Sequence, residues 1–244
     1  MTEYVLLLAI YGFASFLQGV VGFGFALLSV PLVATIYDPP TAVAMNAIVG
    51  TANCGYKAWL LRKDSEPTGV LSFTGVAFLF VPLGVAGITV ISRAPALVVM
   101  GAFVLAVAIG NMRRREEVQA AMRKRSSFWS LSVAAGVLSG AFAAPGPAAV
   151  PFFLAKEENP LVAKANLNLF FILVTVPVIL FHGIAGNLTP SALRLALFYL
   201  PVVFLLTYTG TRLSQRVPER GLRLAVDIGL AALGTWLILD NTLI

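Results

Sequence analysis

The sequence predicts an all-α membrane protein made of two homologous halves, and three observations carry that prediction. Of the 244 residues, 59% are hydrophobic and only 11% are charged, whereas a soluble domain carries about 25% charged residues. The apolar residues form eight stretches, most of them near the ~20 residues with which a helix crosses a bilayer core. Landmarks of the first four stretches recur in the last four, in the same order.

Short polar loops separate these stretches, which are Tyr4–Ile36, Thr41–Leu61, Thr68–Ile91, Pro95–Met112, Phe128–Leu154, Leu161–His182, Pro190–Leu213 and Gly221–Leu239. The longest polar segment, residues 113–127, contains six lysines and arginines. Positive loops of this kind are typical of the cytoplasmic side of a membrane protein. We therefore predict a membrane repeat at 1–112, a basic cytoplasmic linker at 113–127 and a second membrane repeat at 128–244.

The first and fifth stretches are interrupted by residues that suit a helix interior poorly. Three glycines fall within Gly19–Gly24, and each costs about 1 kcal/mol relative to alanine inside a helix. In the fifth stretch, Pro145-Gly146-Pro147 ends one helix, and a proline is well tolerated in the first turn of the next. Broken hydrophobic segments at corresponding positions of two halves indicate the binding site of a transporter.

An internal duplication places the two breaks at corresponding positions. The segment Asp38–Asn46 matches Glu158–Asn166, which aligns Asn46 with Asn166 at a spacing of 120 residues. Val81-Pro82 aligns with Leu200-Pro201 further along. The identities are few, but their common order favours a repeat over chance.

The distribution of lysine and arginine favours an inverted arrangement of the halves. If all eight stretches cross the membrane, ten basic residues fall on one face and seven on the other. If the two broken stretches re-enter on the same face, fifteen fall on one face and only Arg93 and Arg194 on the other. Because cytoplasmic loops are enriched in basic residues, we predict that each half has three spanning helices and one broken, re-entrant segment. An odd number of spans inverts the second half, although broken segments can also cross.

The breaks provide a way to bind an anion without a charged side chain. Where a helix restarts, its first free N–H groups carry partial positive charge. We expect these donors from Gly24, Phe25 and Ala26 in the first half and from Ala148 and Ala149 in the second. The alternative is that small residues only allow close helix packing, an interpretation that suits the following glycines: Gly12, Gly19, Gly136 and Gly140.

Polar side chains near the breaks complete the predicted site. The matched Asn46 and Asn166 either donate hydrogen bonds to an anion or hold the broken segments through interhelical hydrogen bonds. The predicted substrate-binding residues are Gln18, Gly22, Phe23, Gly24, Phe25, Asn46, Pro145, Gly146, Pro147, Ala148 and Asn166. Asp227, a carboxylate within the last stretch, either relays protons or pairs with Arg223 one turn earlier.

Several classes of protein are disfavoured. One cysteine, Cys54, and one histidine, His182, give no basis for a metal site, and we expect no cofactor. An enzyme is disfavoured because the stretches contain no catalytic cluster. The surplus of basic residues, seventeen against eleven acidic ones, fits loops that face the anionic lipid of the bilayer rather than nucleic acid.

These motifs resemble the TauE/SafE family of sulfite and organosulfonate exporters, also called the toluene sulfonate uptake permease family. The resemblance lies in the glycine-rich run Gly19–Pro31 followed by Thr41–Asn46, and in the segment from Gly136 to Pro151 followed by Asn166. The chain differs from the family pattern at Ala143–Pro147, where the family usually has a glycine-rich run. The resemblance implies a multi-pass carrier of the inner membrane that moves sulfite, sulfoacetate or other sulfonates.

From these observations we expect an exporter of small sulfur-containing anions that works by alternating access around one site between inverted halves. The transport is either coupled to protons through Asp227 or uncoupled and electrogenic. The alternatives are an anion channel in which the breaks form a filter, and an uptake carrier for another small oxyanion or a carboxylate. A homodimer is compatible with the sequence, which does not fix the oligomeric state.

Overall fold

A computed structural model of the chain describes residues 2–22, 24–112, 125–157, 159–214 and 219–242. Phe23 and most of the predicted linker therefore lie outside the described residues. The described helices are α1 Thr2–Val21, α2 Phe25–Ile36, α3 Pro39–Leu60, α4 Pro67–Val90, α5 Arg93–Met112, α6 Arg125–Phe142, α7 Gly146–Lys156, α8 Pro160–Ile184, α9 Pro190–Phe198, α10 Leu200–Ser214 and α11 Glu219–Thr242. The described residues contain no strand, and six of their helical segments are long and apolar enough to cross a membrane.

The two loops that the sequence aligns as a repeat begin the two central helices in the same way. The side chain of Asp38 accepts a hydrogen bond from the Thr41 amide at 3.0 Å and caps α3. The side chain of Asn159 accepts one from the Leu161 amide at 2.9 Å and caps α8. Each helix also has proline in its first turn. Proline lacks an N–H, but the N–H groups of the first turn make no hydrogen bond within the helix, so none is lost there.

The first broken stretch folds back on itself as a helical hairpin. Phe25, the first residue of α2, stacks on Tyr11 in the middle of α1 with 6.1 Å between ring centroids. A straight helix would separate these residues by about 21 Å. The hydroxyl of Tyr37, just after α2, donates to the carboxylate of Glu3 at the start of α1. Both ends of the hairpin therefore lie on the same side of the protein.

The second broken stretch forms a matching hairpin. Phe152 of α7 lies 5.8 Å from Phe128, which is near the start of α6, measured between ring centroids. Both rings belong to an aromatic cluster around the fully buried Phe73 of α4. The helix after the break therefore returns toward the beginning of the helix before it.

The central helices α3 and α8 run antiparallel. Their midpoints meet where the hydroxyl of Thr51 donates to that of Thr175 at 2.7 Å. At one end, the hydroxyl of Thr41 donates to the carbonyl of Asn187, just after α8, at 3.1 Å. At the other end, the amide of Glu66 donates to Asn166 near the start of α8, at 2.8 Å.

The long arm of each hairpin packs tightly against a helix of the other half. Helix α1 crosses α10 where a Cβ on Gly19 would lie 3.0 Å from the Cα of Gly210. Helix α6 crosses α4 where a Cβ on Gly84 would lie 3.0 Å from the Cα of Gly140. A Cβ on Gly136 would likewise meet the backbone of α4. The packing interpretation of Gly19, Gly136 and Gly140 is therefore confirmed.

Candidate functional site

A cavity lies between the tips of the two hairpins. It encloses about 510 Å³ of empty space, including the part that is open to solvent. Both breaks and both central helices line it, through residues Gln18, Gly24, Phe25, Ala26, Leu27, Asn46, Gly50, Cys54, Ala143, Ala144, Pro145, Gly146, Pro147, Phe171 and Thr175. The fold thus brings together segments more than a hundred residues apart.

The first break owes its shape to glycine. Gly22 and Gly24 have φ values of +97° and +101°, a left-handed conformation that glycine adopts without steric cost. Gly24 precedes α2, so the amides of Phe25 and Ala26 have no carbonyl one turn earlier within the helix. Both residues line the cavity. The positive end of α2 therefore opens onto the cavity.

The second break reverses the chain without glycine at the left-handed position. Ala143 has a φ of +48°, and Pro145 stands immediately before α7. The amides of Ala148 and Ala149 donate to the carbonyl of Pro145 at 3.2 Å and 3.0 Å. The expectation that these two amides are free is therefore wrong, because the proline carbonyl that precedes α7 already accepts both. Gly146 is the residue at the start of this helix that lines the cavity and has an N–H to offer.

Asn46 lines the cavity but is already hydrogen-bonded. Its side-chain oxygen accepts from the hydroxyl of Ser29 in α2. Its side-chain nitrogen donates to the carbonyl of Ala42 at 2.8 Å. Of the two interpretations of Asn46, these bonds match the one in which it holds the broken segment to α3.

Asn166 lies away from the cavity, at the loop between α3 and α4. It accepts hydrogen bonds from the hydroxyl of Ser65 at 3.2 Å and from the amide of Glu66 at 2.8 Å. Its side-chain nitrogen lies 3.2 Å from Glu157. The structure does not bring Asn166 to the other predicted site residues, and these bonds join the two halves at one end of the molecule.

Asn168 reproduces the hydrogen bond of Asn46 instead. Its side-chain nitrogen donates to the carbonyl of Lys164, four residues earlier, at 2.7 Å. Its side-chain oxygen is buried without a hydrogen-bond partner among the described residues. Counting back from Pro31 and Pro151, the residue that corresponds to Ser29 is Ala149, which has no hydroxyl to donate.

A buried polar network surrounds the first break. The side chain of Asn53 donates to Gln18 at 3.2 Å and accepts from Thr207 of α10 at 2.9 Å. Gln18 in turn lies 3.6 Å from the sulfur of Cys54. Lys57, only 7% exposed, donates to the backbone carbonyl of Gln18 at 2.7 Å. The sequence signal for this network is the spacing of Asn53, Cys54 and Lys57, which places them along one side of α3.

A comparison with protein families identifies the chain. A family model described as "Sulfite exporter TauE/SafE" matches residues 7–237. The chain belongs to the TauE/SafE family. Searches of curated proteins and of solved structures found no significant match. The resemblance of its glycine and proline motifs to this family is confirmed, and the chain is a multi-pass membrane protein of a transporter family.

The second break of this TauE/SafE protein is held by a histidine. His182 of α8 is fully buried, and its Nε2 lies 2.9 Å from the carbonyl oxygen of Gly140 in the last turn of α6. Its Nδ1 lies 3.0 Å from the side-chain nitrogen of Asn187. Because that nitrogen donates, Nδ1 accepts and the Nε2–H donates to Gly140. His182 therefore stabilises the end of α6 just before the chain reverses.

Asp227 lies apart from the cavity of the TauE/SafE protein. Its carboxylate is 7% exposed and accepts a hydrogen bond of 2.8 Å from the side chain of Asn111. This bond joins α11 to α5 near the end of α5. The side chain of Arg223 lies outside the described residues. Among those that are described, no cluster of three or more histidine, cysteine or acidic side chains could hold a metal ion.

Proposed function

We propose that this chain is a secondary transporter of the inner membrane that exports sulfite or a small organosulfonate by alternating access. The main observation in support of this proposal is that the tips of the two hairpins line a single cavity. The family supplies the class of cargo, a sulfur-containing anion. The positive end of α2 supplies an electrostatic reason for an anion to bind there.

The arrangement of the halves supports alternating access. Helices α3 and α8 run antiparallel, and each hairpin's long arm crosses a helix of the other half at a glycine pair. This pattern is the one expected of inverted repeats that rock against each other around a fixed site. On this proposal both hairpins are re-entrant, with their tips near the middle of the bilayer.

The lining of the cavity suits a small anion that has shed part of its water. Among the residues that the structure describes, no aspartate, glutamate, lysine or arginine lines the cavity, and the polar residues that line it are Gln18, Asn46, Cys54 and Thr175. Backbone amides and neutral polar groups hold an anion without a fixed ion pair, which allows release on the other side. The rest of the lining is alanine, glycine, proline, phenylalanine and leucine, and the glycines let backbone approach the ligand closely.

Counterflow in proteoliposomes tests the proposal. Vesicles loaded with unlabelled sulfite or a short organosulfonate should accumulate the labelled anion transiently, because a carrier exchanges its cargo at one site. Empty vesicles and vesicles loaded with a carboxylate serve as controls. Steady anion conductance without counterflow would identify a channel instead. Counterflow driven equally well by the carboxylate would contradict the proposed substrate class.

A further inference from the structure

The side-chain amide of Gln18 has a fixed oxygen and an available nitrogen. Gln18 lies in the last turn of α1, lines the cavity and is 3% exposed. Its side-chain oxygen accepts a hydrogen bond from the side-chain nitrogen of Asn53 in α3 at 3.2 Å. Its own nitrogen has no oxygen acceptor among the described residues, and its partner is the sulfur of Cys54 at 3.6 Å. Sulfur is a weak acceptor, so the N–H groups of Gln18 remain available to a stronger one.

Asn53 and Thr207 determine which end of the Gln18 amide is available. Both are fully buried, and neither of them lines the cavity. The hydroxyl of Thr207 in α10 donates to the side-chain oxygen of Asn53 at 2.9 Å. With its oxygen held there, Asn53 presents its nitrogen to Gln18, which must therefore present its oxygen to Asn53. The nitrogen of Gln18 is left on the side of Cys54, a residue of the cavity lining.

The other polar residues of the lining have fewer donors to offer. The hydroxyl of Thr175 has a single hydrogen, which a carbonyl of its own helix accepts at 2.6 Å. The side-chain nitrogen of Asn46 already donates to a carbonyl of α3 at 2.8 Å. The thiol of Cys54 is only a weak donor. Among the polar side chains that the structure describes in the lining, Gln18 therefore has the most hydrogen-bond donors for a ligand.

We propose that Gln18 donates hydrogen bonds to the bound anion and that Thr207, acting through Asn53, is a positioning residue for its amide. The proposal rests on the cavity being the anion site, as proposed above. A primary amide offers either donors or an acceptor, so an unrestrained glutamine does not distinguish an anion from a cation. Holding its oxygen against Asn53 leaves donors for the oxygen atoms of a sulfite or sulfonate group. These donors are in place before the anion arrives, which lowers the cost of binding.

Calorimetric binding of methanesulfonate to the purified protein tests both roles. Gln18→Met has a side chain of similar length without a donor. It should bind at least about tenfold more weakly, as expected when a charged ligand loses a hydrogen bond. Thr207→Val replaces the hydroxyl with a methyl group and frees the Asn53 amide to turn, so binding should weaken by about threefold to tenfold. Thr207→Ser retains the hydroxyl and should bind as the wild type does. Thr209→Val, on the exposed side of α10, is the matched control.

A double-mutant cycle shows whether Thr207 acts through Gln18. In the Gln18→Met background, Thr207→Val should cause no further loss of affinity, because no amide is left to orient. An equal loss in both backgrounds would overturn the positioning role, since a purely structural effect does not depend on Gln18. If Thr207→Val does not fold, Asn53→Leu in the same two backgrounds provides the same test.

The outcomes separate this inference from the proposed function. Wild-type affinity in a folded Gln18→Met protein would overturn the donor role of Gln18 and leave the anion site standing. Wild-type affinity in a folded Thr207→Val protein would overturn the positioning role alone. Absence of any methanesulfonate or sulfite binding by the folded wild-type protein would contradict the anion site itself.

Discussion

The two hairpin tips form the same reversal from different residues. The first uses glycine at its left-handed positions, Gly22 and Gly24, whereas the second uses Ala143. The second compensates with Pro145 and Pro147, which limit the conformations open to the chain and define where α7 begins. The comparison teaches that the family's glycine-rich pattern serves a backbone geometry that another sequence can also reach.

The two tips are also held by different side chains at equivalent places. Lys57 donates to the carbonyl of Gln18 in the last turn of α1, and His182 donates to that of Gly140 in the last turn of α6. Both groups donate to a carbonyl near the C-terminal end of a helix, where a donor or a cation is favourable. The difference is chemical: a primary amine at one tip and an imidazole at the other.

The largest expected effect on stability comes from the two helix crossings, α1 with α10 and α4 with α6, which should respond alike. Gly84→Val and Gly19→Val each place a Cβ against the backbone of the crossing helix, so the helices must separate. We expect each variant to lose at least about 3 kcal/mol of its free energy of unfolding, which is the upper end of the usual cost of overpacking. Thermal unfolding of the purified protein measures it. Gly75→Val is the matched control, since a Cβ there meets nothing within 4 Å. A stable variant at one crossing only would show that the crossings are not equivalent.

A smaller effect on stability should distinguish Asn46 from Asn168, the asparagines beside the two tips. Ser29→Ala removes the donor to the buried side-chain oxygen of Asn46, which should cost about 1–3 kcal/mol. Ala149→Ser offers a hydroxyl at the corresponding place of the second half, where the oxygen of Asn168 lacks a partner. That variant should be neutral or stabilising by up to about 1 kcal/mol. Equal destabilisation by both substitutions in chemical denaturation would contradict the distinction.

The smallest expected effect is on the free energy of unfolding, and it should have opposite signs at the two tips. Ala143→Gly removes the strain of an alanine in the left-handed conformation, which is worth about 1–2 kcal/mol. It also adds about 0.5–1 kcal/mol of conformational entropy to the unfolded chain. The net expectation is a gain of roughly 0.5–1 kcal/mol. Gly24→Ala should lose about 1–2 kcal/mol, because alanine is strained at a φ of +101°. Destabilisation by Ala143→Gly in the same thermal unfolding assay would mean that the second tip is not strained.

Much of the fold follows from local sequence chemistry. The breaks were predicted from glycine and proline, and the structure interrupts the helices there. The proline starts of α3 and α8 and the capping residues Asp38 and Asn159 are also local features, although the sequence analysis did not use them. The site was less predictable. Asn166 shares the sequence register of Asn46, yet Asn168 shares its hydrogen bond, since few identities cannot fix a register to within two residues.

Another part of the site depends on a contact between distant elements. Lys57 of α3 donates to the carbonyl of Gln18 at the end of α1, 39 residues earlier, and a short stretch of sequence does not reveal that contact. The bonding of the Ala148 and Ala149 amides is local, because the carbonyl of Pro145, four residues or fewer before them, accepts both.

The most direct test of one anion site between the two tips is calorimetric binding of an organosulfonate to Gly146→Phe. Gly146 lines the cavity, and a Cβ there meets nothing within 4 Å, so the ring has room at the backbone and occupies the space of the anion. Gly75→Phe, on the exposed side of α4, is the control. We predict wild-type folding for both variants and binding by the control alone. Wild-type affinity in a folded Gly146→Phe protein would contradict the account.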